Sequence, residues 1–156
     1  MKIFLKKINK IMNKVFDQLS GMNEQYIQTA IGIELRRNKI KFMREAGLEL
    51  FYDKHPIGLH ELDFLITPCL DVKNPLILEI KVATALNEEH RQQLKNYLRS
   101  ASKNETIISK ASDGILINFK KSESFVVSAK KKKEIPNVQI EAWNLNKNKM
   151  TQTYSN

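Results

Sequence analysis

The run Leu76-Ile77-Leu78-Glu79-Ile80-Lys81-Val82-Ala83 holds the chain's most informative chemistry. It reads as a strand, and side chains alternate across a strand. Leu76, Leu78, Ile80 and Val82 therefore share one face, and Ile77, Glu79, Lys81 and Ala83 the other. A carboxylate and an ammonium thus occupy one face of an otherwise apolar segment. The preceding apolar segment repeats the anomaly, with Asp63 inside Leu62-Asp63-Phe64-Leu65-Ile66. Burying a charge is costly unless it is paired or binds a metal. Two acids and one lysine on neighbouring strands either neutralise one another or hold a divalent cation. Mg²⁺ (or Mn²⁺) suits such a half-open site, because it takes oxygen ligands and keeps several waters. The ion would lower the pKa of water and offset phosphate charge, and Lys81 beside it would orient the water or stabilise developing charge. The competing reading is a structural Glu79–Lys81 ion pair.

Other reactive residue types are sparse. The single cysteine, Cys69, excludes an internal disulfide and a Cys-rich zinc site, and a reducing compartment follows as the simplest expectation. Of the three histidines, His60 reads as a satisfied sheet histidine. His90 precedes Gln93 by one helical turn, and Gln93 and Tyr97 are four apart on one helix face.

These residues need a scaffold. An amphipathic helix is expected over residues 1–20, with Phe4, Ile8, Ile11, Val15 and Leu19 at helical spacing and Lys6, Lys7, Lys10 and Lys14 to the sides. Ser20-Gly21 closes it. A second helix is expected from Met22 to Asn38, then strands over Phe42–Tyr52, Leu59–Thr67 and Leu76–Ala83, with a turn through Asp53, Pro56 and Gly58. A helix over Leu86–Ala101, capped by Asn87, leads to a strand at Gly114–Phe119. Further short strands are expected at Phe125–Ala129 and Val138–Trp143, a solvated loop at Lys130–Lys133 and disorder over residues 146–156. Short turns join the first three strands, which predicts an antiparallel meander, and the fourth arrives after a helix and can pair in parallel.

The chain of 156 residues carries a net charge of +9, concentrated at its ends: +4 over residues 1–20 and +4 over residues 121–156, against −1 over residues 21–66. Basic ends around a near-neutral middle suit contact with phosphate backbones. No apolar run approaches the ~20 residues of a transmembrane helix, and the basic N-terminus lacks a secretory pattern. A cytoplasmic location is the expectation.

The residues Asp63…Glu79-Ile80-Lys81 resemble the signature of the PD-(D/E)XK nuclease superfamily, and the chain more narrowly resembles the small GxxExxY family within it. Gly21-Met22-Asn23-Glu24 matches the start of that family's motif, and the likeness continues through Ala30, Glu34 and Leu35 and the blocks LDFLI, LILEIK, HRQQLKNYL and GILINF. The resemblance implies an α/β fold with an αβββαβ core, a mixed sheet flanked by helices, to which this chain adds the basic N-terminal helix. It implies that Asp63 and Glu79 bind the metal, that Lys81 assists the attacking water, and that a helix acid supports them. Glu24 is the preferred helix acid and Glu34 the alternative. Gln93 and Tyr97 resemble an accessory motif of RecB-like nucleases, and His90 resembles the family's histidine at the start of that block.

The expectation is therefore a Mg²⁺-dependent nuclease acting on DNA, with residues 21–145 as its nuclease-like domain and helix 1–20 packed on that core. The alternative is a nucleic-acid-binding or regulatory protein that keeps the fold with little turnover. A subunit that works with a protein partner or as a homodimer is a third reading.

Overall fold

Local chemistry sets the element ends. Helix α1, Lys2–Leu19, has its first turn capped by a distant acid: Asp71 accepts from the backbone N–H groups of Ile3 (2.8 Å) and Phe4 (2.9 Å), and pairs with the terminal amine at 2.7 Å. Those donors and that charge hold the Asp71 carboxyl down at about 2. Helix α2, Glu24–Arg37, starts at Asn23, whose side chain accepts from Tyr26 N–H, and ends in Arg36 and Arg37, which suit the negative end of its dipole. Helix α3, Glu88–Ala101, opens with a capping box between Asn87 and His90.

The computed structural model describes residues 1–121 and 135–156. The strands are β1 (Phe42–Tyr52), β2 (His55–Ile66), β3 (Leu76–Ala83), β4 (Asp113–Lys120), β5 (Val138–Asn146) and β6 (Lys149–Ser155), with a short 3₁₀ turn at Ile107–Lys110 before β4. They form one sheet in sequence order, parallel only between β3 and β4. The chain has the expected α/β architecture: a mixed six-stranded sheet with α1 and α2 on one face and α3 on the other.

Each face has its own core. Phe4, Ile8 and Met12 of α1 and Ile27, Ile31 and Leu35 of α2 pack on Phe64, Leu78, Ile80 and Ile117. Leu94, Tyr97 and Leu98 of α3 pack on Leu48, Leu62, Ile77 and Leu116. Gly114 lets α3 approach β4 closely, since a Cβ there would lie 2.6 Å from a Leu94 methyl. The β3–α3 turn is pinned by buried amides. Asn118 accepts from Ala83 N–H and donates to Ala83 C=O, and Gln139 accepts from Leu86 N–H.

The β1–β2 hairpin turns over midway. Arg44 lies over Phe64 on the α2 side, whereas Ala46, Leu48 and Leu62 face α3. The change falls at Glu45 and Asp63, which drop out of the ladder while its register continues on both sides; Glu45 has φ +53°.

Two expectations differ from the structure. Strand β2 starts at His55, because Asp53 (φ +52°) allows a tight Asp53-Lys54 turn and the strand continues through Pro56 and Gly58 with a bulge at Ile57. Residues 146–156 are not a disordered tail. Lys147 (φ 46°) and Asn148 (φ 65°) form a two-residue hairpin turn, β6 pairs with β5, and Asn156 bonds the Val138 and Ile140 backbone. The two left-handed residues match the right-handed strand twist, a signal hidden by the segment's polarity. The strand expected at Phe125–Ala129 and the loop at Lys130–Lys133 lie outside the described residues.

Candidate active site

Strands β2 and β3 pair over only three positions, ending at Phe64↔Leu78. Beyond that point the strands part, and the next residues in register are Asp63 and Glu79. Side chains take over from the ladder. Asp63 Oδ2 accepts from Ile80 N–H at 2.7 Å, and Glu79 Oε1 accepts from Asp63 N–H at 3.3 Å. The charged pair of the sequence is thus held in the fork of a splitting sheet.

Glu79 is 2% exposed and its pKa is pushed up to about 8, first by burial and then by the charge of Asp63, with Lys81 pulling the other way. Asp63 is raised as well, mainly by burial, against the Ile80 N–H, Lys81, His60 and Gln28. Lys81 Nζ lies 3.9 Å from Glu79 Oε2, a loose ion pair.

Helix α2 brings its N-terminus over the fork. Gln28 Nε2 donates to Asp63 Oδ1 at 2.8 Å and to Glu24 Oε1 at 3.3 Å, so one amide ties both acids. Glu24 is exposed, yet partial burial and the Asp63 charge raise its pKa. Glu34 is elsewhere. It accepts from Lys14 at 2.9 Å and Arg37 at 2.7 Å, clips α1 to α2, and has a lowered pKa.

On the α3 side the His60 ring stacks on Tyr97, with centroids 4.4 Å apart. His60 is not the satisfied sheet histidine expected from its position: its Nε2 is buried with no hydrogen-bond partner. Burial lowers the His60 pKa, against an upward pull from Asp63. The Tyr97 hydroxyl is raised by burial and by Glu79 and Asp63, and Gln93 beside it opposes the shift. His90 stands at the N-terminus of α3, where its Nδ1 accepts from Asn87 N–H at 3.3 Å. Burial and then the Lys81 charge lower its pKa.

The structure therefore gathers Glu24, Asp63, Glu79 and Lys81 around one fork, with Tyr97 and Gln93 behind it and His90 at its margin. Gln28 was missed; its signal was the one-turn spacing from Glu24. Among the described residues no three His, Cys, Asp or Glu side chains form a ready metal cluster. Two desolvated carboxylates with one loosely placed ammonium do fit Mg²⁺, which binds through one or two carboxylates and keeps its waters. The pKa of Glu79 is raised by burial first and by the neighbouring Asp63 charge second, as a carboxylate held out of water beside another acid should be.

The family model described as the PD-(D/E)XK nuclease superfamily matches residues 2–131. No curated protein and no solved structure gives a significant match.

Proposed function

The chain belongs to the PD-(D/E)XK nuclease superfamily, and from that membership we propose that it is a metal-dependent nuclease hydrolysing phosphodiester bonds in DNA. Within the superfamily we assign it to the GxxExxY family, on the Gly21–Glu24 motif and the blocks that follow it. The observation that carries the reading is the fork at Asp63 and Glu79, where two desolvated carboxylates stand together on parting strands.

Asp63 and Glu79 would hold Mg²⁺ or Mn²⁺. When bound, the ion would supply a lowered pKa for water and compensation for phosphate charge. Glu79 would serve as a ligand in its ionised form. The Ile80 N–H and Gln28 fix the orientation of Asp63. Lys81 holds an ammonium at the edge of the fork, where it orients the attacking water and meets charge developing on phosphate. Glu24 supports the pair through the shared Gln28 amide. His90, Gln93 and Tyr97 form the substrate side.

Residues 21–145 are the nuclease-like unit in this reading, and α1, which the family match takes in, packs on the same core. A cytoplasmic site of action accords with the lone free Cys69. Among the described residues no helix is long and apolar enough to cross a membrane. One observation favours the second reading, a nucleic-acid-binding protein with little turnover: both Asp63 oxygens already accept from protein donors. Incubation with labelled single- and double-stranded DNA and RNA, in Mg²⁺, Mn²⁺ or EDTA, separates the two. Metal-dependent cutting that Asp63→Asn and Glu79→Gln abolish supports the nuclease. Tight binding without cutting under any metal supports the alternative.

A further inference from the structure

A cleft of about 590 Å³ lies between the tip of the β1–β2 hairpin and α3. That volume falls in the ~300–1,000 Å³ range of small-molecule sites and is enough for one nucleotide. Its hairpin wall carries Tyr52, 75% exposed, and Ile57, 66% exposed. Large apolar side chains so exposed at one hairpin tip mark a binding surface when they line a groove. The walls are braced. Phe51 N–H donates to Ser100 Oγ at 3.2 Å, and Lys103 reaches the Asp53 carbonyl and lies 5.8 Å from the Phe51 ring centre.

Two features point to the occupant. Arg99 and Lys103 stand exposed on the helix side against the single carboxylate of Asp53, so the rim favours an anion. The cleft also adjoins the fork through Tyr97, a buried side chain that lines the cleft on one side and lies near the two acids on the other. Tyr97 stacks on His60, and its hydroxyl feels the charges of Glu79 and Asp63. A chain whose phosphate lies at the fork would lay its neighbouring base in the cleft, its backbone passing Arg99. Flat apolar walls with flanking cations are the means by which unpaired bases are held without sequence readout.

We propose that this cleft holds an unpaired nucleotide beside the phosphate cut at the fork, so that the preferred substrate is a single strand or an unpaired end. The inference rests on the nuclease reading for the position of the cut, while its binding chemistry is tested apart from cleavage.

The test measures fluorescence anisotropy of a labelled oligothymidylate and of a blunt hairpin duplex in EDTA, on wild type, Tyr52→Phe, Tyr52→Ala and Ile57→Ala. Both positions are exposed, so the fold survives. Wild type and Tyr52→Phe should bind the single strand about tenfold tighter than the duplex, and each alanine variant should lose most of that margin with duplex binding unchanged. Equal affinity for the two forms, or variants that weaken both alike, overturns the cleft. So does a sedimenting dimer that Tyr52→Ala dissociates, since a second copy then covers the hairpin. With Mg²⁺, cutting of the single strand at the same kcat/KM by wild type and Tyr52→Ala sinks the cleft alone. No cutting by wild type, with the Tyr52-dependent preference intact, sinks the nuclease reading and upholds the cleft.

Discussion

Asp63 and Glu79 face each other where the β2–β3 ladder stops, and each carboxylate accepts a hydrogen bond from the backbone of the other's strand. The geometry answers how a sheet can separate its strands without orphaning their amides. It also takes both acids out of water, which raises the pKa of each, with the Asp63 charge adding to the shift at Glu79, and most of the expected behaviour follows from that.

Glu79 should make the metal-free protein less stable as pH rises. Its folded pKa of about 8 lies above the ordinary 4.5, so between those values the folded chain holds a proton that the unfolded chain has released. Stability is then fully present below about 4.5 and declines toward 8. Thermal melts in EDTA should show Tm falling by several degrees over this window, and saturating Mg²⁺ should flatten the fall. A Tm independent of pH over that range would contradict the buried-acid account.

Glu79→Gln should therefore separate stability from activity. The amide keeps an acceptor for Asp63 N–H and carries no charge. The variant should melt higher than wild type in EDTA at pH 8, lose the stabilisation by Mg²⁺, and cut nucleic acid at least ~10²-fold more slowly. A variant that melts lower at that pH would show that the ionised side chain stabilises the fold.

Lys81→Met distinguishes chemistry from ion pairing. A strong structural pair would cost a few kcal/mol when broken. The 3.9 Å separation and the raised pKa of Glu79 point instead to a small stability change near pH 7. Turnover should fall by orders of magnitude while Mg²⁺ still raises Tm. Denaturation curves beside a cleavage assay provide the check.

Gln28→Leu tests the amide that links Glu24 to Asp63. The Gln28 hydrogen bond lowers the Asp63 pKa, so its loss should raise that pKa further. The acid limb of the pH–rate profile should shift upward and kcat should drop about tenfold, with KM little changed. An unmoved acid limb would reduce Gln28 to a packing role.

Removing residues 1–10 should unfold the chain, because Phe4 and Ile8 are fully buried in the core shared by α1, α2 and the sheet. Phe4→Ala alone should cost about 3–5 kcal/mol in chemical denaturation. The charge of α1 is better tested at the exposed Lys6 and Lys10. If both contact phosphate, Lys6→Gln with Lys10→Gln should reduce the salt slope of duplex binding by roughly 0.9 per contact.

The fold and the acids were legible because a charge inside an apolar run is costly and therefore conspicuous. Asp63, Glu79 and Lys81 stand out against Leu62, Phe64, Leu78 and Ile80, and the strand pattern alone puts Glu79 and Lys81 on one face. Gln28 and His60 did not stand out. A glutamine on a helix is ordinary until one knows that α2 passes over the fork, and His60 becomes unusual only once Tyr97 covers it and leaves Nε2 without a partner. The strand β6 was hidden for a different reason. It is an edge strand whose side chains are mostly exposed, so no apolar alternation announces it.

The half-turn of the hairpin at Glu45 and Asp63 also limits how the chain can change in length. Phe42, Arg44, Ala46 and Leu48 all have even numbers, yet the first two face α2 and the last two face α3. A one-residue deletion in β1 before Glu45 would shift the inner half out of step with Phe64. One after it would carry Leu48 from the α3 core into water. Insertions and deletions are thus tolerable only near the exposed tip at Asp53-Lys54, where β1 and β2 can lengthen or shorten together. The reach of the hairpin beyond the fork is free to drift, while its distance from turning point to fork is locked to the position of one acid.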